Sequence, residues 1–327
     1  MAETILEMRG VTKRFPGVVA LKNVSLQLYK NEILAICGEN GAGKTTLMKV
    51  LSGSYTNRDY EGEIWIDGRH VPFTSVSVAE QCGIEMVYQE LNMMLDASIA
   101  ENVFVGNLPG SGVFLNYRTL YANTQKILDE IGLDVNPREI ARNLNSGQLQ
   151  MLAIMRVLSR NPRIIVLDEP TSALGDHEIE LLFQFLDNLR KKGISCIFIT
   201  HKLEEIYRIA DRVIVMRDGE VVSNNIMSAD TKKQLIEEMV GRKIENLYPK
   251  EHTEIGEDVF RVEGLTVPHP TIMHKNIVEN IGFSLRRGEI LGLGGLVGAG
   301  RSETLGAIFG QIKRGVVKRT FVNGKEV

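Results

Sequence analysis

Cysteines and long apolar runs are scarce in this sequence of 327 residues. The three cysteines, Cys37, Cys82 and Cys196, lie far apart and fit neither a metal-binding nor a redox spacing. We interpret each as a small buried side chain in a reducing compartment. No apolar run approaches the roughly 18–20 residues that a membrane-spanning helix needs. The segment from Met1 to Arg9 lacks the basic and apolar regions of a secretory signal.

An excess of charge of one sign is also missing. The 38 basic and 41 acidic residues give a net charge of −3, so bulk electrostatics predict no nucleic-acid partner. Hydrophobic residues make up 43% of the chain, which is enough for a sizeable core. The length fits one large domain and a further fragment. These properties predict a soluble, cytoplasmic protein.

Short β-branched runs alternate with amphipathic helices, which predicts an α/β fold with a parallel core sheet covered by helices. Four near-continuous apolar runs indicate strands buried on both faces, and these are Ile33 to Cys37, Ile84 to Tyr88, Ile164 to Leu167 and Ile194 to Ile199. Alternating segments near the N-terminus predict an antiparallel β-subdomain, and these are Ile5 to Met8, Val24 to Leu28 and Ile64 to Ile66. Residues 91–160 predict an inserted helical subdomain.

An internal repeat organises the chain. Gly41-Ala42-Gly43 recurs as Gly298-Ala299-Gly300, and the preceding Glu32-Ile33-Leu34 recurs as Glu289-Ile290-Leu291 at the same offset (298 − 41 = 257). The repeat predicts a first domain over residues 1–246, a polar linker over 247–258 and the N-terminal part of a second copy over 259–327. We interpret the chain either as a fragment of a longer tandem protein or as one that carries a vestigial second copy.

The loop after the first buried strand carries a phosphate-binding motif. It fits the pattern G-x-x-x-x-G-K-[ST] and precedes a helix-like segment, which is the context that this motif requires. We predict that it wraps the phosphates of ATP, with Lys44 at the β- and γ-phosphates and Thr45 on Mg²⁺. A chance glycine-rich turn is the alternative, and the strand–loop–helix context disfavours it. The predicted binding residues are Gly38, Glu39, Asn40, Gly41, Ala42, Gly43, Lys44, Thr45 and Thr46.

Two adjacent carboxylates end a later buried strand, where Arg163 to Glu169 reads RIIVLDE. Because adjacent side chains of a strand point to opposite sides, we predict that Asp168 serves Mg²⁺ while Glu169 faces the attacking water as general base. A solvated acidic pair is the alternative, and it would be favoured without the phosphate-binding loop upstream.

Five further elements complete a family resemblance. Leu144-Asn145-Ser146-Gly147-Gln148 resembles the signature motif of ABC ATPases, and Thr171-Ser172-Ala173-Leu174 resembles their D-loop. His201, Gln89 and Phe15 occupy the places of the switch histidine, the Q-loop glutamine and the aromatic residue that stacks on adenine. The sequence is therefore similar to ATP-binding subunits of ABC transporters, which implies the P-loop NTPase fold.

The resemblance implies a role for each of these residues. Gln89 would contact Mg²⁺ and water, His201 would hydrogen-bond the γ-phosphate and Glu169, and Phe15 would stack on adenine. Residues 145–148, Asn145, Ser146, Gly147 and Gln148, would present free N–H groups to ATP that is held by an opposite domain. The open alternatives are an ordinary polar loop residue for Gln89, a structural histidine for His201 and plain core packing for Phe15.

Three positions depart from the family pattern. Asn145 replaces the usual serine of the signature motif, and Gly175 replaces a polar residue at the end of the D-loop. In the second copy, Arg301 stands where the first copy has Lys44. Because arginine is a planar fork and not a point donor, we predict that the second loop binds nucleotide weakly or unproductively.

An intact first loop followed by an arginine-containing second loop resembles the fused ATP-binding subunits of bacterial monosaccharide importers. Tyr60 to Ile64 and Leu247-Tyr248-Pro249 resemble the xylose type most. The resemblance implies an integral-membrane permease that docks near residues 91–104, a second nucleotide-binding domain, an indirect periplasmic sugar-binding protein and a location on the inner face of the cell membrane. The alternatives are a soluble ABC ATPase without a permease and a nucleotide-binding module without turnover.

Overall fold

The computed structural model describes residues 3–88, 92–111, 114–228, 231–240, 253–269, 272, 274–295 and 298–327. The chain divides into two compact units, Met1–Ile244 and Glu245–Val327. Half of the predicted linker, residues 247–252, lies outside the described residues, so the linker stays a prediction. None of the described helices is long and apolar enough to cross a membrane.

The strands of the first unit begin near its N-terminus and continue to residue 226. They are β1 (Thr4–Phe15), β2 (Val18–Tyr29), β3 (Ile33–Cys37), β4 (Glu61–Ile66), β5 (Arg69–His70), β6 (Ile84–Val87), β7 (Gly110–Ser111), β8 (Phe114–Leu115), β9 (Ile164–Asp168), β10 (Ser195–Ile199), β11 (Arg212–Arg217) and β12 (Glu220–Ile226).

Eight helices of the first unit are described. They are α1 (Lys44–Leu51), α2 (Val76–Gln81), α3 (Ile99–Val103), α4 (Tyr117–Ile131), α5 (Ser146–Leu158), α6 (Asp176–Lys191), α7 (Leu203–Ile209) and α8 (Thr231–Val240), with a 3₁₀ turn at Ala141–Asn143. The segment predicted to be helical therefore holds α3, α4 and α5, and it also contains the short β7–β8 hairpin, which periodicity did not predict.

The first unit contains the predicted parallel sheet, in the order β12-β11-β3-β10-β9-β6. Strands β11, β3, β10, β9 and β6 run parallel, and β12 joins the edge antiparallel to β11. A separate antiparallel sheet, in the order β2-β1-β4-β5, forms the predicted β-subdomain. The predicted fold class, a P-loop NTPase fold with an inserted helical subdomain, is confirmed.

The central strands are buried on both faces, as their continuous apolar sequences predict. In β3, Leu34 and Ile36 pack in a cluster with α1 and the antiparallel sheet, whereas Ile33 packs in a second cluster with α3 to α6. The parallel strands end at one edge of the sheet, and the residues that follow β3, β9 and β10 meet there.

The second unit has one four-stranded sheet among its described residues. Strands β13 (Asp258–Pro268), β14 (Asn276–Arg286), β15 (Val317–Val322) and β16 (Lys325–Glu326) pair antiparallel in the order β14-β13-β15-β16, and helix α9 spans Arg301–Phe309. This sheet repeats the pairing of β1, β2, β4 and β5, as the internal repeat predicts.

Candidate functional site

The loop between β3 and α1 has a backbone that few residue types adopt. Gly41 and Gly43 have φ angles of +88° and +100°, in the left-handed region that favours glycine. A Cβ on Gly43 would lie 2.6 Å from the carbonyl oxygen of Ala20, so this position also requires the missing side chain. Helix α1 begins at Lys44, and no side chain caps it. Its first N–H groups therefore remain available to an anion.

Lys44 closes the loop from within. Its ammonium group donates to the carbonyl oxygens of Gly38 at 2.8 Å and Glu39 at 3.0 Å, and the residue is 7% exposed. Burial lowers the pKa of Lys44, although the charges of Glu169 and Asp168 oppose this shift. The side chain is thus held at the loop before any ligand arrives.

A cleft of about 680 Å³ opens beside the loop. Asn40, Gly41, Gly43, Lys44, Thr45 and Thr46 line one side, and Asp168 and Glu169 line the other. A helix N-terminus without a cap, a lysine, a hydroxyl and two carboxylates are the groups that a triphosphate with a divalent cation requires. The residues present therefore fit a magnesium–nucleotide complex.

Asp168 and Glu169 do not diverge as strand alternation predicts. Asp168 is the last residue of β9, paired with Ile199, but Glu169 has a φ of +44° and has left the strand conformation. Both side chains line the same cleft. The alternation argument was therefore wrong at Glu169, because a left-handed residue breaks the two-residue period.

Burial raises the pKa of Asp168. The negative charge of Glu169 raises it further, and Lys44 opposes both effects. A carboxylate whose charge is disfavoured by its surroundings gains from a cation, which is the electrostatic setting of a metal ligand.

His201 follows β10 and reaches the acidic pair from the neighbouring strand. Its Nδ1 lies 3.0 Å from Oε1 of Glu169, within hydrogen-bond distance. The imidazole is 54% exposed, whereas the Glu169 side chain is 19% exposed. The structure thus brings together Lys44, Asp168, Glu169 and His201, four residues that lie far apart in the sequence.

Comparisons with known proteins agree with this geometry. The family described as "ABC transporter" matches residues 21–172. The xylose import ATP-binding protein XylG of Geobacillus kaustophilus is 42% identical over 330 residues, which cover 100% of this chain and 65% of the relative. The L-arabinose transport ATP-binding protein AraG of Geobacillus stearothermophilus is 44% identical over 95% of this chain and 61% of the relative.

The chain is thus similar to ABC transporter ATP-binding proteins. The dimeric structure of the bacterial ABC transporter cassette MJ0796 is similar to it, with a TM-score of 0.61 and 26% identity over 69% of this chain and 100% of the cassette. The chain spans slightly less than two thirds of the length of the xylose and arabinose relatives.

The ABC signature motif begins α5, but its N–H groups are not all free. Asn145 caps the helix and accepts a hydrogen bond from the N–H of Gln148 at 2.7 Å. Gln148 Oε1 accepts in return from the N–H of Asn145 at 3.0 Å. The expectation that all four residues present free N–H groups is therefore wrong, because two of these N–H groups belong to a capping box. Only Ser146 and Gly147 among these four residues keep N–H groups free of this box.

Phe15, another expected site residue, is not part of the described cleft lining. Phe15 is 38% exposed and packs edge-to-face on Tyr55, with ring centroids 5.9 Å apart, and Lys13 Nζ lies 5.0 Å from its ring. Among the residues that the structure describes, Phe15 does not line the 680 Å³ cleft, whereas Val18, 61% exposed, does. Gln89 lies outside the described residues.

Sequence reasoning missed one wall of the cleft. This wall consists of Val19, Ala20 and Lys22 on β2 and of Asp218 and Gly219 in the β11–β12 turn. Gly219 N–H donates to Ala42 O at 3.2 Å, and Lys22 N–H donates to Gly219 O at 2.8 Å, so the turn joins β2 to the phosphate-binding loop. No motif marks these residues, because only the tertiary fold places the turn beside the loop.

Proposed function

We propose that the first unit binds and hydrolyses MgATP and that this reaction powers monosaccharide import through a membrane permease. The observation that carries the proposal is the convergence of Lys44, Asp168 and Glu169 on one cleft, with His201 hydrogen-bonded to Glu169. The relatives are named as import proteins for xylose and L-arabinose, which supports a monosaccharide as the transported substrate. The two names point to two different pentoses.

Each residue of the cleft has a distinct task in this proposal. The N–H groups at the start of α1 and the Lys44 ammonium hold the phosphates. Thr45 and Asp168 would hold Mg²⁺, and the bound ion would supply positive charge to the phosphate oxygens. Glu169 accepts a proton from the attacking water as general base. His201 donates to the Glu169 carboxylate and keeps it directed at the cleft.

A second nucleotide-binding domain completes the proposed mechanism. Residues 145–148 are not among the described residues that line the cleft of their own unit, which supports an action on ATP held by an opposite domain. ATP that binds a closed pair of domains better than an open pair shifts the equilibrium toward closure, and hydrolysis reverses the shift. The partner is a second copy or a further domain of a longer chain.

The proposed permease contact lies on the inserted helical subdomain, near residues 92–104. Met94 and Leu95 expose 44% and 45% of their surface. The buried Asn102 side chain holds this segment, because its amide donates to Met94 O at 2.9 Å and accepts from Met94 N–H at 2.9 Å. An apolar, well-held surface suits a protein partner. In this proposal the protein is cytoplasmic and peripheral on the inner face of the membrane.

Two substitutions test the proposed chemistry. Lys44→Ala should weaken MgATP binding, because it removes the charge that closes the loop. Glu169→Gln should keep MgATP binding and lower turnover by at least about 100-fold, because it removes the general base. Binding by titration calorimetry and steady-state phosphate release measure the two effects. A Glu169→Gln protein that hydrolyses ATP at the normal rate would contradict the assignment of Glu169 as general base.

A binding module without turnover is the second candidate, because the signature motif does not line its own cleft. Phosphate release should be measured over a range of protein concentrations. A rate that grows faster than linearly supports pairing of two first units, and no release at any concentration supports the binding module. Co-purification with an integral membrane protein, and not with ribosomes or DNA, separates the transport role from a soluble ATPase.

A further inference from the structure

A buried carboxylate lies beside the proposed reaction site. Glu205, in the first turn of α7, is 5% exposed. The hydroxyl of Thr171 donates to its Oε1 at 2.6 Å, and the hydroxyl of Thr200 donates to its Oε2 at 2.7 Å. Each carboxylate oxygen therefore holds one threonine, and the two threonines belong to different segments.

These two segments carry the proposed hydrolytic residues. Thr171 follows Glu169 by two positions, and Thr200 directly precedes His201. The ladder between β9 and β10 ends at the pair Asp168 and Ile199, followed by one further bond from Glu169 N–H to Ile199 O at 3.0 Å. Beyond that point the Glu205 carboxylate joins the two segments, because it accepts a hydrogen bond from a threonine of each.

The charge of Glu205 is compensated at the same place. Lys202 Nζ lies 3.1 Å from Oε1 of Glu205 and donates to the Thr171 hydroxyl at 3.3 Å. The N–H of Lys202 donates to the Thr200 hydroxyl at 3.0 Å. A buried charge persists only when it is paired and hydrogen-bonded, and this carboxylate meets both conditions.

A simpler explanation is that Glu205 only stabilises α7, by placing a negative charge at the N-terminus of that helix. Carboxylates in a first helical turn interact well with the helix dipole, and Glu204 occupies the same turn with an exposed side chain. An exposed side chain meets that need without the cost of burying a charge. The two hydroxyl contacts of Glu205 instead direct it away from the helix and toward the loops after β9 and β10.

We infer that Glu205 is a positioning residue for the proposed ATP hydrolysis: it fixes the loops that carry Glu169 and His201, so that these side chains stay within hydrogen-bond distance. The kinetic consequence rests on the proposed function, whereas the geometric consequence does not. Removal of the bridge should disturb the His201 imidazole even in a protein that does not turn over.

The first experiment is histidine side-chain NMR on the full chain without nucleotide. His201 is assigned by loss of its signal in His201→Ala. Glu205→Gln should shift this signal, because an amide offers one acceptor where the carboxylate offers two. The matched control is Glu32→Gln. Glu32 is 6% exposed and pairs with Arg212 at 3.4 Å, but it lies at the opposite end of β3 from the loop. The control should leave the His201 signal in place.

The second experiment measures turnover and MgATP affinity separately. Glu205→Gln should lower turnover about tenfold, the typical cost of losing an outer-shell contact, and should leave the affinity within about twofold. Glu205→Ala should lower turnover further. If Glu205→Ala fails to fold, Thr200→Val replaces it, since this change removes one hydroxyl and keeps the side-chain shape. Thr200→Val should also shift the His201 signal.

An unchanged His201 signal in Glu205→Gln overturns the inference, and so does an equal shift in Glu32→Gln. If Glu205→Gln and Glu32→Gln lose the same amount of turnover and of thermal stability, Glu205 has only a structural role. That result also overturns the inference. Failure of the proposed function has a different outcome: the wild-type protein then releases no phosphate at any concentration, while the His201 signal still reports the bridge.

Discussion

The glycines described in both phosphate-loop segments have nearly the same backbone angles, but the two segments have very different surroundings. Gly38 and Gly41 have φ angles of +157° and +88°, and their counterparts Gly295 and Gly298 have +158° and +86°. Each loop is followed by a helix, α1 or α9, that begins at the aligned lysine or arginine. The loop conformation is thus encoded locally, by glycines and a helix start.

The residues before each loop differ instead. Ile33 lies in β3 between two parallel neighbours and has no exposed surface, whereas the aligned Ile290 is 99% exposed. Leu293, aligned with Ile36, is 38% exposed, and residues 289–295 form no strand among those that the structure describes. A buried strand depends on its partners, and the described part of the second unit offers none at that position. Among the described residues, only the first loop is therefore supported by a packed sheet and an acidic pair.

The largest expected effect tests this difference in packing. Ile33→Ala should lower the free energy of unfolding by about 2–5 kcal/mol, because it leaves a cavity in a close-packed sheet. Ile290→Ala should change it by less than about 0.5 kcal/mol, as exposed substitutions do. Urea unfolding followed by circular dichroism measures both. Equal effects at the two positions would mean that Ile290 is buried in solution.

The next effect concerns the cation of each loop. Lys44→Arg, which gives the first loop the residue of the second, should weaken MgATP binding about tenfold, because a planar fork replaces the point donor held by Gly38 and Glu39. Arg301→Lys is the matched exchange and should change MgATP binding to the chain by less than about twofold. Titration calorimetry checks both. A tight second site created by Arg301→Lys would show that the arginine alone disables that loop.

The smallest effect concerns the acidic pair Asp168 and Glu169. Among the described residues, only the first loop faces such a pair. Asp168→Asn should raise the free energy of unfolding by about 0.5–1 kcal/mol without magnesium, because it removes a buried charge at a functional site. The same variant should lose the extra thermal stability that magnesium with ATP gives the wild-type protein. Thermal melts with and without MgATP measure both parts. A variant less stable than wild type in chelator would contradict the role of burial in raising the Asp168 pKa.

Local patterns in the sequence predicted most of the architecture. The apolar runs gave β3, β6, β9 and β10 to within one residue at each end, because strands buried on both faces have a distinctive composition. The β7–β8 hairpin was missed, since its two-residue strands are too short to show a period. Positions of side chains within the site depended more on tertiary structure.

Residues of the cleft wall and of the signature motif illustrate that limit. Asp218 and Lys22 line the cleft although no motif includes them, because the β11–β12 turn reaches the loop only in the folded chain. The N–H of Gln148 was expected to face ATP, but it donates to the Asn145 side chain, because a helix cap depends on which atom faces the first turn. The sequence motifs therefore predicted which chemical groups the site contains, and the tertiary structure determines how those groups are oriented.

The positive φ of Glu169 has a consequence for how this position tolerates change. Nine described residues other than glycine have positive φ, and eight of them are asparagine, aspartate or histidine, whose short side chains accept this conformation readily. Glu169 is the exception. Glycine or asparagine would relax the backbone there, so selection for thermostability alone would drive this position away from glutamate. A lineage that retains glutamate under such pressure must be retaining it for its carboxylate.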